Sequence, residues 1–291
     1  MKVLLGEPLA RHGYWRVGGP VDRLVIAESP DEIEPGALVL GAGSNLLAPD
    51  EGLRGTVVKL GAGFRGTEVV AEEGDDVHVR VGAGLPNVVL LQRLKALGLA
   101  GAGCLAGVPG TMGGAVAMNA GTALGEIADV LVSVEGVAGA IARADLPMRY
   151  REGGLPAGFV VTAATLRLSR RGVAEEQARV ATHLARRRAT QPLDLPSCGS
   201  VFRNPPGDYA GRLIESVGLK GFRAGDAQIS EMHGNFVVNL GGASATDVMT
   251  CIRTAWENVR ARAGVTLVPE VHVVGVWPRE LWPLMGPSSM L

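Results

Sequence analysis

Gly107-Val-Pro-Gly110-Thr111-Met-Gly113-Gly114-Ala-Val-Ala-Met-Asn119-Ala-Gly121 is the stretch on which the reading of this chain turns. It holds five glycines in fifteen residues, yet it is mostly apolar and no charge interrupts it. A flexible linker of that glycine content would be polar. Main chain stripped of side chains in an apolar setting suits a large flat or phosphorylated ligand lying against it. The alternative is a tightly packed turn between strands.

Two further glycine segments lie upstream. Gly41-Ala-Gly43-Ser44-Asn45-Leu46 follows the apolar run Leu38–Leu40. Small residues there let main-chain N–H groups turn inward, and Ser44 and Asn45 add polar side chains, a combination that suits a diphosphate. A simple turn explains it equally well. Gly61-Ala-Gly-Phe-Arg-Gly66 matches the G-x-G-x-x-G dinucleotide pattern, but that fingerprint needs a helix next. Thr67-Glu-Val-Val-Ala-Glu follows instead, which reads as strand. No Gly-Lys dipeptide occurs, so a Walker loop is excluded. The tripeptide Gly-Ala-Gly recurs at 41–43, 61–63, 82–84 and 101–103. The intervening residues do not resemble one another, so the copies read as strands ending in glycine turns and not as a solenoid.

Glycine is also the compositional outlier, 42 of 291 residues, without the triplet period of collagen. With 47% hydrophobic and 20% charged residues the chain can bury a substantial core. A formal net charge of −1 offers no field for nucleic acid or for an anionic membrane. No apolar run is long enough to span a bilayer, and Glu7 interrupts the N-terminal one. Cys104, Cys198 and Cys251 are odd in number and far apart, as expected of reduced thiols in a cytoplasm. No obligate protein partner is inferred.

Periodicity places strands at 23–27, 37–40, 56–60 and 76–81, the last with Val77, Val79 and Val81 alternating with polar residues. A helix from 86 to 97 follows, stopped by Gly98, and strands return at 129–134 and 159–168. Then come a charged helix at 173–188, a short helix at 209–217, a strand at 235–240 and a long helix from Ser244 to 263. Ser244 is its N-cap, with Asp247 three residues on. A strand at 270–274 precedes a tail, after Trp277, that reads as loose. The composition changes near Arg170-Arg171-Gly172, from strands and glycine turns to helices with a few strands. The fold class is therefore α+β, with domains at 1–170 and 171–291.

Cys198-Gly199-Ser200-Val-Phe-Arg203-Asn204-Pro205 sets a serine beside a cation and an amide. It is not a nucleophile elbow, and no histidine or aspartate partner is recognisable, so from these residues alone Ser200 caps a turn. The five histidines have no metal-ligand spacing, and no metal is expected.

Together these segments resemble the UDP-N-acetylenolpyruvoylglucosamine reductase (MurB) family. The likeness runs from Tyr14 to Gly275. It is carried by Arg16-Val-Gly-Gly-Pro20, Gly41–Asn45, Ala106–Gly114, Asn119–Gly121, Tyr150-Arg151, Gly199–Pro205, Gly218-Leu-Lys-Gly221 and Pro269-Glu270, eight segments in family order. The resemblance implies a two-lobed FAD-binding domain of the p-cresol methylhydroxylase/vanillyl-alcohol oxidase type, with lobes at about 1–60 and 61–170. A C-terminal α+β substrate-binding domain follows. It implies FAD and NADPH as cofactors and a UDP-sugar enolpyruvyl ether as substrate, in peptidoglycan synthesis.

The implied cofactor contacts are Gly41, Gly43, Ser44, Asn45, Leu46, Gly107, Pro109, Gly110, Thr111, Gly113, Gly114, Asn119 and Gly121. Tyr150, Asn204, Lys220 and His233 match the substrate-contacting positions. Hydride addition at C3 of an enolpyruvyl ether leaves negative charge at C2, spread into the carboxylate. The resemblance assigns Arg151 and Glu270 as the electrophilic pair and Ser200 as proton donor to C2. An arginine stabilises such charge directly. A glutamate does so only if protonated or held by a cation, so protonated Glu270 is expected in the complex. The chain departs from the family at Gly13-Tyr14-Trp15, where many members read Thr-Phe. The 48 residues between Arg151 and Ser200 leave no room for the substrate-covering loop of longer members. The rival readings are an FAD oxidase of the same fold and a nucleotide-sugar binding protein without catalysis.

Overall fold

The computed structural model describes residues 1–281, so most of the tail expected to be loose lies outside the described residues. The chain divides into two compact units. Unit 1 comprises Met1–Leu4, Leu24–Ala42 and Thr56–Arg187, and unit 2 comprises Leu5–Arg23, Gly43–Gly55 and the chain from Arg188 onward. Composition alone draws a boundary at 170/171, but the charged helix that follows stays with unit 1 as far as Arg187. The cause is a long-range bond. The Glu176 carboxylate of that helix accepts the main-chain N–H groups of Gly101 (2.8 Å) and Gly103 (3.2 Å).

Unit 1 is built on a five-stranded antiparallel sheet in the order 139–142, 131–136, 161–169, 76–82, 67–73. The valine alternation does what its period implies. Val77, Val79 and Val81 lie opposite Leu168, Leu166 and Ala164, and all six are buried. Onto this core pack helices α1 (Asn87–Ala96) and α2 (Met112–Ala117), through Leu90 and Leu94 and through Met112 and Val116. Gly98, at φ +65°, closes the chain after α1. The strand expected from 129 begins at Leu131, because Glu126 and Asp129 cap each other across a 3₁₀ turn at Ile127–Asp129. Residues 61–66 are no dinucleotide fingerprint: one 3₁₀ turn, Ala62–Phe64, leads straight into the strand Thr67–Glu73. Helix α3 (Val173–Thr190) closes the series.

In unit 2, helix α4 (Ala210–Ser216) and helix α5 (Ala245–Ala263) share a core with a three-stranded antiparallel sheet, 223–224, 227–229, 237–239. Along α5 Val248, Met249, Ile252, Ala255 and Val259 recur on one face and are buried. Ser244 and Asp247 form the expected capping box, and Gly264 at φ +68° ends the helix. Asp50 adds a second cap, accepting from Ala245 N at 2.7 Å and Thr246 N at 2.9 Å. Leu46–Leu47 pairs in parallel with His272–Val273, a bond between distant stretches too short to announce themselves.

Candidate active site

Four extended stretches of unit 2 run side by side, in the order 45–47, 269–273, 200–203 and 235–236. His272 N donates to Asn45 O at 3.0 Å. Glu270 N donates to Val201 O at 2.8 Å, and Arg203 N to Val268 O at 2.8 Å. Phe202 is bridged to Pro269, and Ser200 to Phe236. Ser200 and Glu270, remote in sequence, are thereby carried on neighbouring segments.

Two asparagines lock this arrangement. Asn235 is 3% exposed, and its amide pairs with both main-chain groups of Phe202: Oδ1 accepts from Phe202 N at 3.0 Å, and Nδ2 donates to Phe202 O at 2.8 Å. Its own carbonyl accepts from Val201 N at 2.9 Å. The Asn45 side chain donates to Glu270 O at 3.0 Å. Asn235 was not singled out from the sequence, although a signal exists. Asparagine is depleted in strands, so Gly-Asn235-Phe-Val-Val-Asn239 announces two buried amides with work to do. Asn239 likewise donates to Trp15 O at 2.8 Å.

The expected substrate contacts of this unit surround α4. The Asn204 carbonyl oxygen caps it, accepting from Ala210 N at 3.1 Å. Lys220 pairs with Glu215 at 3.2 Å. His233 packs edge-on against Phe236, ring centroids 4.8 Å apart, and lies against Gly211 of the helix. Burial holds His233 below the ordinary histidine range, and the Lys220 charge pushes the same way while Glu215 opposes it. The ring is therefore neutral at pH 7. Its Nδ1 accepts from Asn235 N at 3.2 Å, which assigns the proton to Nε2. Burial pushes the Cys198 thiol up to about 12, and its sulfur lies 3.6 Å from Gly43 O, so it is a packing group and no nucleophile.

In unit 1 the structure sorts the glycines of 107–121. Gly113 is closely packed: a Cβ there would stand 3.0 Å from the Ala83 Cβ and 3.2 Å from its carbonyl oxygen. Gly114 differs: the one atom near a Cβ built there is the Thr111 hydroxyl at 3.7 Å, an ordinary contact. The same hydroxyl would stand 3.0 Å from a Cβ on Gly41, so the two glycine segments meet at Thr111, whose hydroxyl makes no capping bond to α2. Such a surface fits a group approached by main chain, as FAD requires.

Tyr150 and Arg151 occupy the tip of a two-residue turn closed by reciprocal 2.9 Å bonds between Arg149 and Glu152. Arg151 sits at φ +60°, an unusual conformation for a side-chain-bearing residue, with its guanidinium 4.7 Å over the Tyr150 ring. The turn is held against α2 by Gly153 N donating to Ala117 O at 2.9 Å and by Asn119 Nδ2 donating to Arg149 O at 3.0 Å. Buried Asn119 thus joins the glycine stretch to the Arg151 turn. Among the described residues no cluster of His, Cys, Asp or Glu could hold a metal ion, and no helix is long and apolar enough to cross a membrane.

The fold and these residues define an FAD-containing oxidoreductase. Residues 36–140 match the FAD binding domain model, and 191–274 match the C-terminal domain model of UDP-N-acetylenolpyruvoylglucosamine reductase. The chain belongs to the UDP-N-acetylenolpyruvoylglucosamine reductase family. It is 45% identical to that reductase of Anaeromyxobacter sp. (strain Fw109-5), covering 96% of this chain and 91% of the relative. It is 41% identical to that of Moorella thermoacetica, covering 94% of each. The crystal structure of the Thermus caldophilus enzyme (MurB) superposes with a TM-score of 0.80 at 38% identity, over 95% of this chain and 98% of that one.

Proposed function

We propose that this protein reduces the enolpyruvyl group of UDP-N-acetylglucosamine enolpyruvate to give UDP-N-acetylmuramate, with NADPH as reductant, as a cytoplasmic step of peptidoglycan synthesis. FAD, held along Gly41, Thr111 and Gly114, would supply the hydride chemistry that links NADPH to C3 of the double bond. Unit 1 is assigned to the flavin through Gly41, Thr111 and Gly114; the expected contacts Gly43, Ser44, Asn45 and Leu46 belong to unit 2. The remaining expected contacts, Gly107, Pro109, Gly110 and Gly121, shape the loops, and Gly113 and Asn119 hold them.

The chain's own residues manage charge and a proton. Arg151 neutralises the substrate carboxylate as charge spreads into it. Its strained turn fixes the guanidinium before substrate arrives, so little ordering is required of it. Protonated Glu270 assists at the same charge. The Ser200 hydroxyl delivers a proton to C2; serine is a weak acid, but the carbanion-like centre is a strong base, and no histidine is needed. Asn204, Lys220 and the Nε2–H of His233 are assigned to the sugar nucleotide, whose diphosphate needs donors that a net charge of −1 does not supply.

The observation that carries this reading is the 2.8 Å bond from Glu270 N to Val201 O, which sets the glutamate beside the serine-bearing segment. Ser200→Ala tests it. Flavin reduction by NADPH should be unchanged, while reoxidation by the enolpyruvyl sugar nucleotide should fall about 10²–10⁴-fold, the range of a lost general acid. Equal loss in both half-reactions would remove Ser200 from the proton-donor role.

A further inference from the structure

We propose that the Asn45 side chain positions Glu270, so that this residue of the glycine-rich loop serves the substrate half of the reaction. The inference rests on the role given to Glu270 above. Asn45 brackets the glutamate: its Nδ2 donates to Glu270 O at 3.0 Å, and its carbonyl accepts from His272 N at 3.0 Å. The opposite side of the same segment is fixed by Val201 O, which accepts from Glu270 N at 2.8 Å. Leu46–Leu47 and His272–Val273 form a regular parallel pair, and the Glu270 carbonyl lies just beyond its end. There the side-chain amide supplies the next bond. Pro269, immediately before Glu270, has no N–H to contribute. Residues 269–271 are therefore held on one side by two bonds to Val201 O, from Glu270 N at 2.8 Å and Val271 N at 3.4 Å, and on the other by the Asn45 amide.

A carboxyl group assisting at developing charge acts through its position, and a displacement of about 1 Å is enough to cost on the order of 10²-fold in rate. Without the Asn45 amide the Glu270 carbonyl loses that hydrogen bond, and the segment can shift away from the Leu46–Leu47 strand.

The test uses the flavin-loaded enzyme with Asn45→Ala and Asn45→Asp. Aspartate keeps the size of asparagine but has no amide donor, so a steric role would be rescued by it and a donor role would not. In the flavin-loaded fraction of both variants, quantified by flavin fluorescence, reoxidation by the enolpyruvyl sugar nucleotide should slow at least about tenfold more than reduction by NADPH does. In a Glu270→Ala background Asn45→Ala should add nothing to the reoxidation defect, since residues acting through one another are non-additive. Equal slowing of the two half-reactions, rescue by aspartate, or full additivity with Glu270→Ala would overturn the proposal. A wild-type enzyme that the sugar nucleotide fails to reoxidise would refute the functional reading itself, an outcome distinct from these.

Discussion

Asn235→Ala removes the one side chain that satisfies both main-chain groups of Phe202. Phe202 is 1% exposed and Asn235 3%, so water cannot replace the lost amide without opening the core. The two bonds, 3.0 Å to Oδ1 and 2.8 Å from Nδ2, leave behind one N–H and one C=O. Each buried unsatisfied group costs about 1–3 kcal/mol, which gives about 2–6 kcal/mol in all. Against a typical domain stability of about 5–15 kcal/mol that is a large share. Urea unfolding followed by fluorescence should show the midpoint falling with an unchanged slope, because surface exposed on unfolding is the same. Phe202 also lies two residues from Ser200, so reoxidation of the flavin by substrate should slow even where the protein stays folded. A variant within about 0.5 kcal/mol of wild type would refute the clamp, since neutral surface substitutions span that range.

Three other outcomes follow from the geometry. Gly114→Ala should weaken FAD binding while leaving the apoprotein as stable or more so, because alanine replaces glycine inside α2 at a site with open space, a change worth about 0.5–1 kcal/mol in a helix; unchanged flavin affinity would remove Gly114 from the cofactor surface, and Gly113→Val should instead destabilise the fold. His183, His233 and His272 are all held below the ordinary histidine value of 6.5 by burial. Their neutral forms are favoured in the folded state, so the stability they contribute is present above that value and lost as pH falls through the lowered ones; melting temperature should drop on acidification below about 6.5, and replacing the three with glutamine should flatten that part of the profile. Glu270→Gln should slow reoxidation less than Glu270→Ala if the protonated carboxyl acts, and equal damage would show that the ionised group is required.

Much of this is legible in the sequence alone. The 2-residue period at Val77–Val81 implies a half-buried strand, and Ser244 with Asp247 marks the start of α5. Local chemistry fixes such features, so local reading finds them. In three of the four Gly-Ala-Gly copies one glycine, Gly43, Gly63 or Gly82, is a point of close backbone approach. A Cβ on Gly63 would lie 1.9 Å from Glu28 O, and one on Gly82 would lie 2.2 Å from Phe64 O. No repeat unit is needed to explain them. What escaped the sequence is non-local: Glu176 reaching back to Gly101 and Gly103, and Leu46–Leu47 pairing with a two-residue strand near the end of the chain. The turn that carries Arg151 escapes for a different reason. A φ of +60° ordinarily selects glycine or asparagine, and an arginine there gives no turn signal. The site residues became nameable through family motifs; their individual chemistry would have left Ser200 as a turn cap.

The measurement that tests the central claim most directly follows flavin absorbance in the stopped flow. Purified protein is mixed anaerobically with NADPH and then with UDP-N-acetylglucosamine enolpyruvate. Bleaching is expected in the first step and rapid return of colour in the second, with one UDP-N-acetylmuramate formed per flavin reoxidised. Flavin that stays reduced with the sugar nucleotide, yet is promptly reoxidised by oxygen with another substrate turned over, would contradict it.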